Sequence, residues 1–138
     1  MTTDLQRPVT VRPATVQWAA NCLWVSAASA LVATILEAAA FVQVPGAPAG
    51  MSAVVGFITA LFLAVMAATI GQGRNWARWV FGVVYIVGTV GSIVTITAAD
   101  FVALPLVLRA NMILQFSLQT AAFVLMLTGA SRPWFRTR

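Results

Sequence analysis

Glu37 is the one carboxylate inside an apolar stretch of this 138-residue chain. Asp4 and Asp100 are the only other acids, histidine is absent, and Cys22 stands alone. The usual zinc sites and the Ser–His and Cys–His nucleophile arrangements therefore lack donors, and an internal disulfide lacks its second thiol. No metal, no cofactor and no enzyme activity are predicted. What the chain does offer is proton and hydrogen-bond chemistry. Asn111, Gln115 and Gln119 recur every four residues, the spacing of one helical stripe, and Arg109 stands just ahead of them. A carboxylate, a guanidinium and an amide stripe brought together could lead a cation or a proton into a membrane. They could equally lock two helices by ion pairing and hydrogen bonding.

The elements that must position these groups follow from composition. Hydrophobic residues make up 61% of the chain and charged residues 8%, and the mean hydropathy is +0.94. A soluble domain carries about 25% charged residues. So little charge cannot cover a surface that faces water, and lipid is the solvent expected around most of the chain. Four apolar runs are long enough to cross a bilayer once each. They are predicted over about 14–42, 51–70, 76–97 and 106–129, inside a transmembrane domain of 14–130. A polar tail at 1–13 precedes this domain and a basic tail at 131–138 follows it. The connections are a charge-free turn at 43–50, a tight link at Gly71–Asn75, and a turn at Asp100–Pro105. The first run is too long for the apolar region of a signal peptide, so no cleaved leader is expected.

All eight cations are arginines. Arg7, Arg12, Arg74, Arg78, Arg132, Arg136 and Arg138 fall in the two tails and the middle link, which share one side if each run crosses once. Only Arg109 lies opposite. Cytoplasmic segments carry the excess of arginine, so both termini are expected in the cytoplasm. Trp18, Trp76, Trp79 and Trp134 gather at the same interface. With Arg12, Arg74, Arg78, Arg132 and Arg136 they form the expected anchors. The net charge of +5 then reads as topology setting and attraction to anionic lipid heads, rather than as nucleic-acid binding. The fold class expected is an all-α membrane protein of the bacterial inner membrane. Its form is a four-transmembrane-helix up-down bundle with the N and C termini cytoplasmic.

A charge at mid-bilayer costs somewhere between about 3 and 17 kcal/mol. Glu37 avoids most of that cost, since it lies roughly 15 Å beyond the midpoint of its run. This is the depth of Arg109. The first and fourth spans are predicted to touch, with Ser26, Thr34 and Glu37 facing the amide stripe across a polar seam. Small residues recur at Gly56, Ala60, Ala64 and Ala68 in the second span and at Gly88 and Ser92 in the third. Such stripes let helices approach closely, within one bundle or between chains. Tyr85 reads as an ordinary packing position and Asp100 as a loop residue.

Three short motifs carry a resemblance. Arg12-Pro13 ahead of Val16, then Leu23-Trp24-Val25-Ser26, then Gly73-Arg74-Asn75-Trp76-Ala77-Arg78 together resemble a group of small four-span bacterial inner-membrane proteins. The resemblance implies the fold and the location, and no activity. Small multidrug-resistance transporters also have four helices and a glutamate in the first. This chain departs from them in placing Glu37 near the end of its helix and in its strong charge bias. The expected function is non-enzymatic association in the lipid bilayer, as a homo-oligomer, an accessory subunit or an immunity-type protein. The alternative is a small ion-coupled transporter or channel that uses Glu37 and the amide stripe.

Overall fold

The computed structural model describes residues 12–39, 50–95 and 98–128. Helix makes up 90% of them, and no strand occurs among the described residues. In chain order the helices are α1 (Ala14–Ala38), α2 (Met51–Gly71), α3 (Asn75–Thr95), the short α4 (Ala98–Ala103) and α5 (Leu106–Leu127). Four of them, α1, α2, α3 and α5, are long and apolar enough to cross a membrane. The chain is a multi-pass helical membrane protein.

The helix boundaries have local causes. Pro13 is extended ahead of α1, and its carbonyl accepts from the amides of Val16 and Gln17. Proline suits such a start, because the amide it lacks would have no partner there. No glycine or proline interrupts α1, whose 25 residues span roughly 37 Å. The run expected to reach Val42 leaves the helix at Ala39, whose N–H closes on the Ile35 carbonyl at 2.9 Å. Residues 40–42 lie outside the described ones. Between α2 and α3, Gly73 takes a φ of 82°. Its N–H bonds to the Ile70 carbonyl, and the Arg74 N–H to the Thr69 carbonyl. This pair of bonds is a Schellman cap, which needs the left-handed conformation that glycine adopts freely.

The turn expected at Asp100–Pro105 is a correction, because α4 occupies Ala98–Ala103. Asp100 in its first turn complements the positive end of the helix. Pro105 stops it, since the residue before a proline avoids the helical region. The last span ends at Leu127 rather than near residue 129. Thr128 is extended and its hydroxyl donates to the Leu125 carbonyl at 2.6 Å. The basic tail, with Arg132, Trp134 and Arg136, lies outside the described residues.

α1 is the axis of the packing. It lies along both α2 and α5, whereas α3 touches α2 and α5 only sparsely. The core joins Leu23 and Ala27 of α1, Met66 and Ile70 of α2, Phe81 of α3 and Met126 of α5. These residues come from the first halves of α1 and α3 and the last halves of α2 and α5. The core therefore sits at one end of the bundle, the closed end. Alanines on α1, among them Ala19, Ala27 and Ala30, are buried and let the backbones approach. Gly56 of α2 is also used in this way, because a Cβ there would run into the Thr34 hydroxyl.

Candidate functional site

Beyond Phe81 most side chains of the third helix are exposed. Val83, Ile86, Val87 and Val90 are all exposed, and Ile93 is 73% exposed. Between this half of α3, α2 and α5 lies a cleft of about 1060 Å³. Ile58 and Phe62 of α2, Val84 and Gly88 of α3, and Met112 and Phe116 of α5 form its walls. Phe101 of α4 completes the lining.

Tyr85 marks where the closed end gives way to the cleft. Its ring centroid lies 6.0 Å from that of Phe81, 5.3 Å from Phe123 and 6.4 Å from Phe116. Its hydroxyl is 2.7 Å from Thr120 Oγ1. Thr120 already donates its single proton to the Phe116 carbonyl, so Tyr85 is the donor of this bond. One hydrogen bond and the ring contacts with Phe116 and Phe123 thus hold the middle of α3 to α5. By spacing alone Tyr85 is an ordinary packing position. The signal was its hydroxyl in the middle of an apolar span, where lipid supplies no partner.

The expected polar seam between α1 and α5 exists at one point. Gln119 Nε2 donates to Ser26 Oγ, which is fully buried, and to Gln115 Oε1, both at 3.2 Å. Both amide protons of Gln119 are then engaged. Among the described residues its carbonyl and the Gln115 NH2 have no partner, and both residues line the cleft.

The other residues of the predicted site do not join them. Thr34 turns its hydroxyl onto its own helix, to the Ala30 carbonyl at 2.8 Å. Glu37, Arg109 and Asn111 are half-buried and none lines the cleft. Arg109 Nε is buried with no hydrogen-bond partner, and among the described residues no ion pair joins it to Glu37. Counted from the Ser26–Gln119 bond, Glu37 and Arg109 each lie roughly 15 Å away along their own helices. Direction separates them. Leu108 is buried on the face shared with Ala122 and Met126, and the next residue along a helix points about 100° away.

The small residues divide in the same manner. Ala60 is buried and Gly56, Ala64 and Ala68 are half-buried along α2. On α3, a Cβ at Gly88 would meet nothing within 4 Å, and Ser92 is exposed. The described anchors gather at the closed end. Trp18, Trp76, Trp79 and Arg74 are exposed there. Arg78 lies 5.6 Å from the ring of Trp79. The Arg12 guanidinium lies over Gly71, where a cation complements the negative end of α2. Among the described residues no three His, Cys, Asp or Glu side chains cluster as metal ligands. In comparisons with protein families, characterised proteins and solved structures, nothing matches this chain.

Proposed function

We propose that the chain is a non-enzymatic protein of the bacterial inner membrane that works by association within the bilayer. It belongs in this reading with the small four-span proteins that its motifs resemble. Its spans alternate in direction and both termini face the cytoplasm. Two observations support the topology. The closed end gathers the starts of α1 and α3 with the finishes of α2 and α5. The same end carries Arg12, Arg74 and Arg78 beside Trp18, Trp76 and Trp79, the signature of a cytoplasmic interface.

The observation that carries the association is the outer half of α3, which is held by no other helix over most of its surface. Helices in lipid associate by close packing and by interhelical hydrogen bonds. The small residues of α2 meet that need inside the chain. Gly88, Gly91 and Ser92 of α3 are exposed and offer a backbone approach to a second chain, be it another copy, a subunit or a toxin that the protein neutralises. Ion-coupled transport has less support, because Glu37 and Arg109 are unpaired and stand outside the cleft. The test is native mass spectrometry of the chain released from membranes in mild detergent. An oligomer or a stoichiometric complex is expected, weakened by Gly91→Leu with unchanged helix content. A bare monomer at every protein-to-detergent ratio overturns the reading.

A further inference from the structure

We propose that the cleft between α2, α3 and α5 binds an uncharged, lipid-soluble small molecule with a long apolar body and one carbonyl or hydroxyl group midway along it. Nothing in the association reading requires such a site, and the observations behind it are different ones. The first is shape. The cleft holds about 1060 Å³, close to the upper size of small-molecule sites, which run to about 1,000 Å³. It follows α2 only from Val55 to Leu63 and α5 only from Met112 to Gln119, lengths of roughly 12 and 11 Å. Phe81 and Tyr85 close it at one end and Phe101 stands at the other. A helix that crosses the bilayer needs a groove of roughly 30 Å, so the cleft is too short to seat one.

Charge sets the second limit. Apart from the phenol of Tyr85, no lining side chain is ionisable. A charged guest would leave water with no counter-ion to receive it, the most costly transfer a membrane interior imposes.

The third observation is the amide pair. Gln119 gives both its N–H groups to Ser26 and Gln115, which leaves its carbonyl and the Gln115 NH2 as one acceptor and one donor toward the cleft. Gln115 is the tenth of the 22 residues of α5, near the middle of the span. Lipid offers nothing to pair with an amide at that depth. An acyl chain is mute there, and the esters of a phospholipid sit at the interface, roughly 15 Å away. A carbonyl at mid-length accepts from the Gln115 NH2, and a hydroxyl there can also donate to the Gln119 carbonyl, while the apolar arms of the guest lie against Ile58, Phe62 and Phe116.

The test uses the full chain in phosphatidylcholine nanodiscs and three probes of sixteen carbons: the plain alkane, the same chain with a ketone at its midpoint, and the fatty carboxylate. Retention is read by equilibrium dialysis. The ketone is expected to bind about tenfold more tightly than the alkane, the ratio that one well-made hydrogen bond supplies, and more tightly than the carboxylate. Gln115→Leu, or Gln115→Met if the leucine variant does not fold, brings ketone and alkane level. Ser92→Leu, which fills the cleft, removes both. Equal retention of ketone and alkane by the native chain, a preference that survives in both Gln115 variants, tighter binding of the carboxylate, or no retention by a folded chain each overturns the proposal. The native chain and the Gln115 variants leave the exposed face of α3 intact, so their results are separate from whether a second chain associates there.

Discussion

The closed end and the open half of this bundle are built from the same four spans and the same kinds of residue, yet they are solved differently. At the closed end every helix contributes to one core, and the side chains that fill it, such as Leu23, Ile70 and Phe81, are almost wholly buried. Toward the other end α1 and α2 stay together through Gly56 and Thr34, while α3 departs and leaves a cleft. In water such a cleft would collapse. In lipid the hydrophobic effect gives no reason to close it, and only packing and hydrogen bonds hold helices together. The contrast shows where the chain builds for stability and where it leaves room.

Single substitutions can break or sharpen this contrast. The largest effect is expected from Phe81→Ala, which removes the largest fully buried side chain of the core and should cost about 3–5 kcal/mol. Ile93→Ala on the open half of α3 should leave the melting temperature in detergent unchanged, since its side chain packs against little. Equal losses from both would erase the distinction. Next comes Gly56→Leu, which has no space beside Thr34 and should destabilise by about 1–3 kcal/mol. Gly88→Leu points into empty space and should be tolerated. Gly73→Ala follows, at about 1–2 kcal/mol, because its left-handed backbone strains any side chain; the melting curve should shift without a change in helix content. The smallest loss among the packed positions is expected from Ser26→Ala, which takes one acceptor from Gln119. Interhelical bonds of this kind average about 0.6 kcal/mol, so a loss several times larger would mean that the seam holds more than one bond.

What sequence could and could not reveal follows the same line. The spans were legible because lipid imposes length and apolarity on each, and Gly73 announced the link between α2 and α3. Distance along each helix was legible as well, since it needs only a residue count: Glu37 and Arg109 each lie roughly 15 Å from the Ser26–Gln119 bond. Direction around each helix was not. α1, α2 and α5 are apolar on nearly all faces, so no periodicity says which face meets a neighbour. That is why a residue count leaves the pairing of Glu37 with Arg109 open, and why the amides divide, with Gln115 and Gln119 at the cleft and Asn111 away from it. Short α4 escaped notice because six residues show no period. Tyr85 carried its signal in its chemistry rather than in its spacing.

The central claim is that α3 stands apart from the bundle in its second half and joins it in its first half. Oxygen accessibility of single nitroxide labels, read by electron paramagnetic resonance in a phosphatidylcholine bilayer on a Cys22→Ser background, tests this most directly. Labels at positions 88 and 92 should be nearly as accessible to oxygen as one at the lipid-facing position 87, while labels at 30 and 67 stay protected. Protection at 88 and 92 equal to that at 67 would show a closed bundle and contradict the account.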